Sequence, residues 1–207
     1  MIRLLVTSGR GPAECRIAVA KALAVMEREA ETAGLGLDIA AAPRPDAHGP
    51  GSAIVAVHGD GARCFAQSWT GSLLWTAASP VRAHHKRKNW YIGVFELPPA
   101  AGAAPPLAPG DVRFEAFRAG GPGGQHQNKT ESAVRAVHVP TGLAVVARGH
   151  RSQHRNKAEA LERLTELLRA GRELAVLAVQ TDAHASHDRL ERGRPARRFK
   201  GADFLPA

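Results

Sequence analysis

Four glycines in five positions, broken by one proline, stand in the run Arg118-Ala119-Gly120-Gly121-Pro122-Gly123-Gly124-Gln125-His126-Gln127-Asn128-Lys129-Thr130. A loop of this composition adopts backbone conformations closed to other residues. It also exposes its own N–H groups and lets a ligand approach the main chain closely. No GK[ST] follows it, and no GxGxxG opens a helix after a strand, so it is not a nucleotide phosphate loop. Arg118, Lys129 and Arg135 flank it, which points to a nucleic acid as the ligand.

The charge of the whole chain agrees. The 207 residues carry 28 Lys and Arg against 19 Asp and Glu, a formal net charge of +9. Residues 1–81 are neutral overall, 82–91 carry +4 with no acid, 113–157 carry +6, and 181–207 carry +2. Two concentrated basic patches on a chain whose first third is neutral read as two contacts on a polyanion. A hydrophobic fraction of 44% with 23% charged residues describes a globular protein with a proper core. No apolar run reaches the length of a membrane span, and the amino terminus is too short in apolar residues for a secretory signal. With only Cys15 and Cys64, no disulfide framework is available, so the expected setting is a reducing cytoplasm.

The elements that position these residues form an α+β chain of two units. Residues 2–7 read as a strand. Pro12 opens a helix with Ile17, Ala20, Leu23, Ala24 and Met26 at helical spacing, ending near Gly34. Residues 35–42, 53–58 and 90–97 read as further strands, and Cys64–Leu74 is compatible with more than one element. Residues 98–110 hold five prolines and no charge, a semi-extended linker. After it, the strand 111–117 enters the glycine-rich loop. Residues 133–139 and 143–148 form a hairpin about Pro140-Thr141-Gly142. Ser152 caps a helix reaching about Ala170, with Leu161, Leu164, Leu167 and Leu168 on one face. The expected domains are therefore 1–97, a linker 98–110, 111–180, and a short basic tail 181–207 that is extended or partly disordered. Trp69 and Trp75 are expected in the core, Trp90 beside the basic run, and Cys15 against the core.

The run Gly120–Gly142, followed by Arg151–Leu161, resembles the GGQ domain of class I peptide chain release factors over about fifty residues. The resemblance implies a small mixed-sheet domain with a packed helix, whose loop enters the peptidyl transferase centre of the ribosome. There, water attacks the ester joining peptide to tRNA. Carried over by position, Gly123 and Gly124 permit the loop's path beside the terminal adenosine. The Gln125 N–H stabilises developing negative charge on the reacting oxygens, and its side chain admits water over larger nucleophiles. Arg118, His126, Asn128, Lys129, Arg135, Arg148, Arg151, Arg155 and Lys157 are implied contacts to rRNA and tRNA, which position without reading sequence. Many relatives have Ser where Gly120 stands. The family acts with the ribosome, as rRNA of both subunits and a P-site peptidyl-tRNA. It needs no cofactor and is not classed as an enzyme in its own right.

Residues 1–95 resemble the family's decoding domain, an α/β sandwich. Ser79-Pro80-Val81 falls where relatives carry a codon-reading tripeptide, 44 residues before Gly123. The sequence then departs. Relatives have a glycine-rich turn and a His-Thr pair, whereas this chain has Arg82-Ala83-His84-His85-Lys86-Arg87-Lys88-Asn89-Trp90, with Lys88 and Asn89 in the His-Thr places. Ser79, Pro80, Val81, Arg82, His84, His85, Lys86, Arg87, Lys88 and Trp90 are expected at the decoding centre. A cationic cluster with an aromatic neighbour suits rRNA phosphates and stacking better than discrimination among bases. The helical amino-terminal domain and most of the carboxy-terminal portion of ordinary release factors are not in this sequence. This combination resembles the release factor H subfamily, commonly encoded beside a tRNA-repair-type RNA ligase. It implies a codon-independent rescue factor for ribosomes whose decoding-centre rRNA has been cut, monomeric off the ribosome. The alternatives are a reduced-size stop-codon reader, and a free-standing hydrolase or RNA-binding module. The last would need a base near Gln125, for which His126 is the one neighbour. The His150/His154 pair is expected to have no carboxylate or Cys nearby and is not expected to bind metal.

Overall fold

The computed structural model describes residues 1–41, 47–99, 107–108, 110–118, 131–180 and 194–207, with side chains described up to Leu174 within the helix that ends at Gln180. The glycine-rich loop from Gly120 to Thr130, most of the expected linker and the first part of the expected tail lie outside these residues. The chain divides into two compact units, Met1–Ala100 together with Gly171–Ala207, and Ala101–Ala170.

In the first unit, β1 (Ile2–Thr7) leads into α1 (Ala13–Thr32), with Pro12 at the N-cap, where its missing N–H is harmless. Cys15, Ala18, Val19, Ala22, Met26 and Ala30 recur on its buried face at the spacing of one helical stripe. The helix stops in a Schellman arrangement: Leu35 N–H donates to Ala30 O, Gly34 N–H donates to Glu31 O, and Gly34 takes φ +69°. Strands β2 (Gly36–Ala41) and β3 (Ser52–His58) follow. The ambiguous stretch resolves into α2 (Ala62–Trp69) and β4 (Gly71–Thr76), then β5 (Asn89–Leu97).

The remaining strands of this unit are β9 (Arg197–Lys200) and β10 (Leu205–Pro206). The sheet order is β10-β9-β4-β5-β1-β3-β2, and every pairing is antiparallel except β4 with β9. Both helices share one buried cluster with one face of this sheet, including Leu4, Val6, Val55, Ile92 and all three tryptophans, so the unit is a two-layer sandwich. Each buried indole has a partner for its N–H: Trp69 donates to Glu29 Oε2 at 3.0 Å, Trp75 to Gly201 O at 2.8 Å and Trp90 to Ala77 O at 3.0 Å.

Residues 194–207, part of the tail expected to be extended or partly disordered, include two strands that join the first unit's sheet. Phe199 and Phe204 stack on one another at 4.1 Å, Phe199 on Trp69 at 6.0 Å, and Arg197 makes a two-pronged contact with Glu29 at 2.6 and 2.8 Å. A four-residue strand with one aromatic has no periodicity to read. Its partners Trp69, Glu29 and β4 lie more than a hundred residues away in the chain.

The second unit contains β6 (Val112–Phe117), β7 (Ala133–His138), β8 (Ala144–Ala147) and most of α3 (Gln153–Gln180), whose continuation past Ala170 exceeds the expected end. The sheet order is β6-β7-β8, all antiparallel. The β7–β8 hairpin turns at the expected Pro140-Thr141-Gly142, with Gly142 at φ +72° and Thr141 Oγ1 2.8 Å from His138 Nδ1. Val134, Ala136, Val145 and Ala147 on the sheet and Ala160, Leu164, Leu167 and Leu168 on α3 are buried.

Candidate functional site

Gly123, Gly124, Gln125, His126, Asn128 and Lys129 lie outside the described residues, while the frame from which their loop springs is described. Phe117 pairs with Ala133 at the last rung of the β6–β7 ladder, so the loop's two feet leave adjacent antiparallel strands. Arg118 and Glu131 stand at those feet with Nε and Oε1 3.6 Å apart, both exposed. Such a pair contributes little to stability.

The second foot is fixed more firmly. Asn156, in the first turns of α3, is 0% exposed. Its Nδ2 donates to Ser132 O at 2.6 Å and to His150 O at 2.8 Å, and its Oδ1 accepts from His150 N–H at 2.9 Å. Gln153 Nε2 adds a bond to Glu131 O at 3.1 Å. The start of α3 is held by Ser152, whose Oγ lies 3.5 Å from Arg155 N, in agreement with the capping role expected for it. Two side chains of one helix therefore hold consecutive carbonyls at the loop's exit. Sequence reasoning missed both, because an Asn inside RSQHRNKAE reads as one more solvated polar residue.

The implied RNA contacts separate around this frame. Arg135, Arg148, Arg151, Arg155 and Lys157 are all exposed. Arg135 is opposite Glu115 in the β6–β7 register, where Glu115 is paired with Arg113 at 3.1 Å, and Lys157 Nζ sits 4.4 Å from the Phe114 ring centroid, so Lys157 is partly engaged by its own unit. The expectation of no carboxylate near His150 is corrected: the first turns of α3 bring Glu159 Oε2 to 3.7 Å from His150 Nε2. Among the described residues, no cluster of His, Cys, Asp or Glu has the makings of a metal site.

The first unit carries the other basic patch, in the connection from β4 to β5. Glu14, in the first turn of α1, is 0% exposed. Its Oε1 accepts from Ser79 Oγ at 2.5 Å and from Arg82 Nε at 2.7 Å. Ser79 Oγ in turn lies 3.2 Å from Val81 N and 2.8 Å from Arg82 N, accepting from both. Burial of the Glu14 carboxyl pushes its pKa up. The hydrogen bonds from Arg82, from Ser79 and from its own backbone, together with the Arg82 charge, outweigh burial and hold it down at about 2.

The expectation that Trp90 touches a partner is corrected: it is 0% exposed. It is instead the floor under the patch. The His85 ring stacks on it at 5.9 Å with a 19° tilt, and the Arg82 and Arg87 guanidiniums lie 5.7 and 5.1 Å from its centroid. Arg87 Nε also donates to Asn89 O at 2.9 Å. Pro80, Val81, Arg82, His84, Lys86, Arg87 and Lys88 are exposed, with His85 half-buried and His84 at φ +58°. The result is a rigid aromatic base carrying a fan of cations, which suits phosphates.

Residues 105–201 match the RF-1 domain. The peptide chain release factor homolog of Escherichia coli is 37% identical over 209 residues, covering 99% of each chain. Peptide chain release factor 2 of Neisseria meningitidis is 34% identical over 164 residues, which are 79% of this chain and 45% of that one. Its counterpart in Aromatoleum aromaticum is 36% identical over 138 residues, 66% of this chain and 38% of that one. The chain thus spans less than half the length of these two release factor 2 relatives. RF2 of Thermus thermophilus, a solved structure, aligns over 96% of this chain and 57% of its own at 32% identity, with a TM-score of 0.46. The chain belongs to the class I peptide chain release factor family, and its full-length likeness is to the release factor homologue branch.

Proposed function

We propose that this protein is a codon-independent rescue factor that releases the nascent peptide from stalled ribosomes, chiefly those whose decoding-centre rRNA has been cut. The observation that carries the reading is the state of Ser79. A tripeptide residue that reads a base needs a free donor or acceptor, whereas the Ser79 hydroxyl gives its proton to Glu14 and accepts from two backbone N–H groups. Val81, 40% exposed, offers no polar group, and the surrounding cations bind phosphate whatever the codon.

At the other unit the chemistry follows the family. A water oxygen bonds to the ester carbonyl carbon, and the carbon–oxygen bond to the tRNA terminal ribose breaks. The water gives up a proton, the ribose oxygen gains one, and the peptide leaves as an acid. Gly123 and Gly124 shape the loop, the Gln125 N–H faces the developing oxyanion, and the Gln125 side chain limits the space to water. Release from a cut ribosome would free the RNA for a repair ligase.

Affinity for ribosomes programmed with a stop codon or a sense codon in the A site tests the decoding half of this reading. Three bases read at about 1–3 kcal/mol each would favour the stop codon by roughly a hundredfold or more. The expected result is equal affinity within about twofold, far below the tenfold that 1.4 kcal/mol represents. A hundredfold preference would establish a reduced-size stop-codon reader instead.

A further inference from the structure

The second unit leaves one side of its helix–sheet layer open. Val112 and Phe114 on the outer strand β6 pair with His138 and Ala136, and so share the sheet face of Val134 and Ala136 on β7. The two β7 residues are buried, whereas Val112 and Phe114 stay half-buried. His154, Lys157, Ala158 and Leu161, at helical spacing on α3, line the other wall. The groove between them has a volume of about 390 Å³, within the range of sites that hold a small organic group.

The make-up of the groove selects its ligand. Every lining residue except His154 and Lys157 is apolar, and Leu161 is 39% exposed. Lys157 holds its ammonium 4.4 Å from the centre of the Phe114 ring, and neither it nor His154 is ion-paired among the described residues. An aliphatic peptide side chain would fill the groove and leave both rim groups without an anion. A nucleotide brings the two parts together, a flat apolar face for the walls and a phosphate for the rim. From Phe114 to Val112 the groove lies roughly 10 to 17 Å along β6 from the loop foot at Phe117. It is thus set back from the loop that meets the tRNA end, which favours rRNA over tRNA.

We infer that this groove takes the base of one unpaired rRNA nucleotide, held between Phe114 and Leu161 with its phosphate on Lys157. This rests on the ribosome being the partner, as proposed above. It gives the second unit a contact to a base, apart from the glycine-rich loop and from the exposed cations around it.

The test is photo-crosslinking by the full chain with p-benzoylphenylalanine in place of Leu161, irradiated on purified ribosome complexes. The expected product is a crosslink to rRNA at one nucleotide, mapped as a single reverse-transcription stop and destroyed by ribonuclease. A crosslink to a ribosomal protein would assign the groove to a peptide, one to tRNA would move it to the other RNA, and none would leave it empty; each overturns the inference. Affinity gives a second reading that needs no crosslinker. Phe114→Leu keeps an apolar side chain but loses the ring. It is expected to weaken ribosome binding about tenfold with an unchanged slope of log affinity against log salt, because stacking releases no counterions. Lys157→Gln is expected to make that slope shallower by about 0.7–0.9, the share of one phosphate. Folding of both variants is read from thermal melts. A folded Phe114→Leu variant that binds as tightly as wild type, or Lys157→Gln with the wild-type slope, would also overturn the inference. Ribosome binding by the wild-type chain is measured alongside. Its absence would defeat the ribosome reading, whereas binding without an rRNA crosslink defeats this inference alone.

Discussion

Ser79 and Glu14, 65 residues apart, are joined by a 2.5 Å hydrogen bond, and Arg82 meets the same carboxylate oxygen at 2.7 Å. One buried side chain at the start of α1 thereby fixes the β4–β5 connection at its first turn. Arg82 is held over Trp90 in the same stroke. The cations further along the connection then depart from a defined point on a rigid floor.

Glu14→Gln removes the charge but keeps the shape, and its effect depends on pH. The folded carboxyl titrates at about 2 against an ordinary value of 4.5. Because the folded value is depressed, its contribution is present above pH 4.5 and is lost as pH falls toward 2. That contribution is on the order of 3 kcal/mol for a depression of this size. Denaturant unfolding is expected to find the variant less stable than wild type at pH 7, with the gap closing between pH 4.5 and pH 2. A gap that stayed constant with pH would show that the Glu14 charge does not stabilise the fold.

Asn156→Ala leaves Ser132 O and both the N–H and C=O of His150 without their present partner. Losing three hydrogen bonds from a fully buried side chain costs about 2–4 kcal/mol together. The melting temperature is expected to drop, and the release rate to fall at temperatures where the variant is still folded, since the exit foot of the glycine-rich loop is freed. Normal release from a variant with a lowered melting temperature would confine Asn156 to stability.

The sequence shows most of this arrangement where the pattern is local. The period of α1, the alternation of β1 and β5, and the hairpin at Gly142 are carried by neighbouring residues, and the structure has them where the spacing puts them. The two basic patches are also legible, because charge is a property of composition. What is not legible depends on distant partners. Strand β4 is hidden behind the eight residues of α2, and β9 exists through Phe199 stacking on Trp69 and Phe204. Trp90 lies next to a cationic run, so its sequence position suggests exposure, yet its backbone alternation with Tyr91 turns it into the core. Glu14 reads as an ordinary helix-start acid, and nothing near it in sequence marks Ser79 or Arg82 as its partners.

Gly124→Ala adds a side chain to the loop proposed to carry the chemistry, and Gln125→Ala removes the side chain that limits the space around it. Displacing one oxyanion donor slows acyl transfer by roughly 10²–10³-fold, and Gly124→Ala is expected to lower single-turnover peptide release on this scale while ribosome affinity is held. Gln125→Ala is expected to lower release by water and to raise the relative reaction with a larger nucleophile such as hydroxylamine. Affinity that collapsed along with release would contradict the catalytic assignment of the loop.

Release that is independent of the codon is measured most directly as the rate of peptide release from purified ribosome complexes that carry a stop codon, a sense codon, or a sense codon with cleaved decoding-centre rRNA. Fast release is expected from the cleaved complex, with no advantage of stop over sense codons on intact ribosomes. Release confined to the stop-codon complex, with the cleaved complex inert, would contradict it.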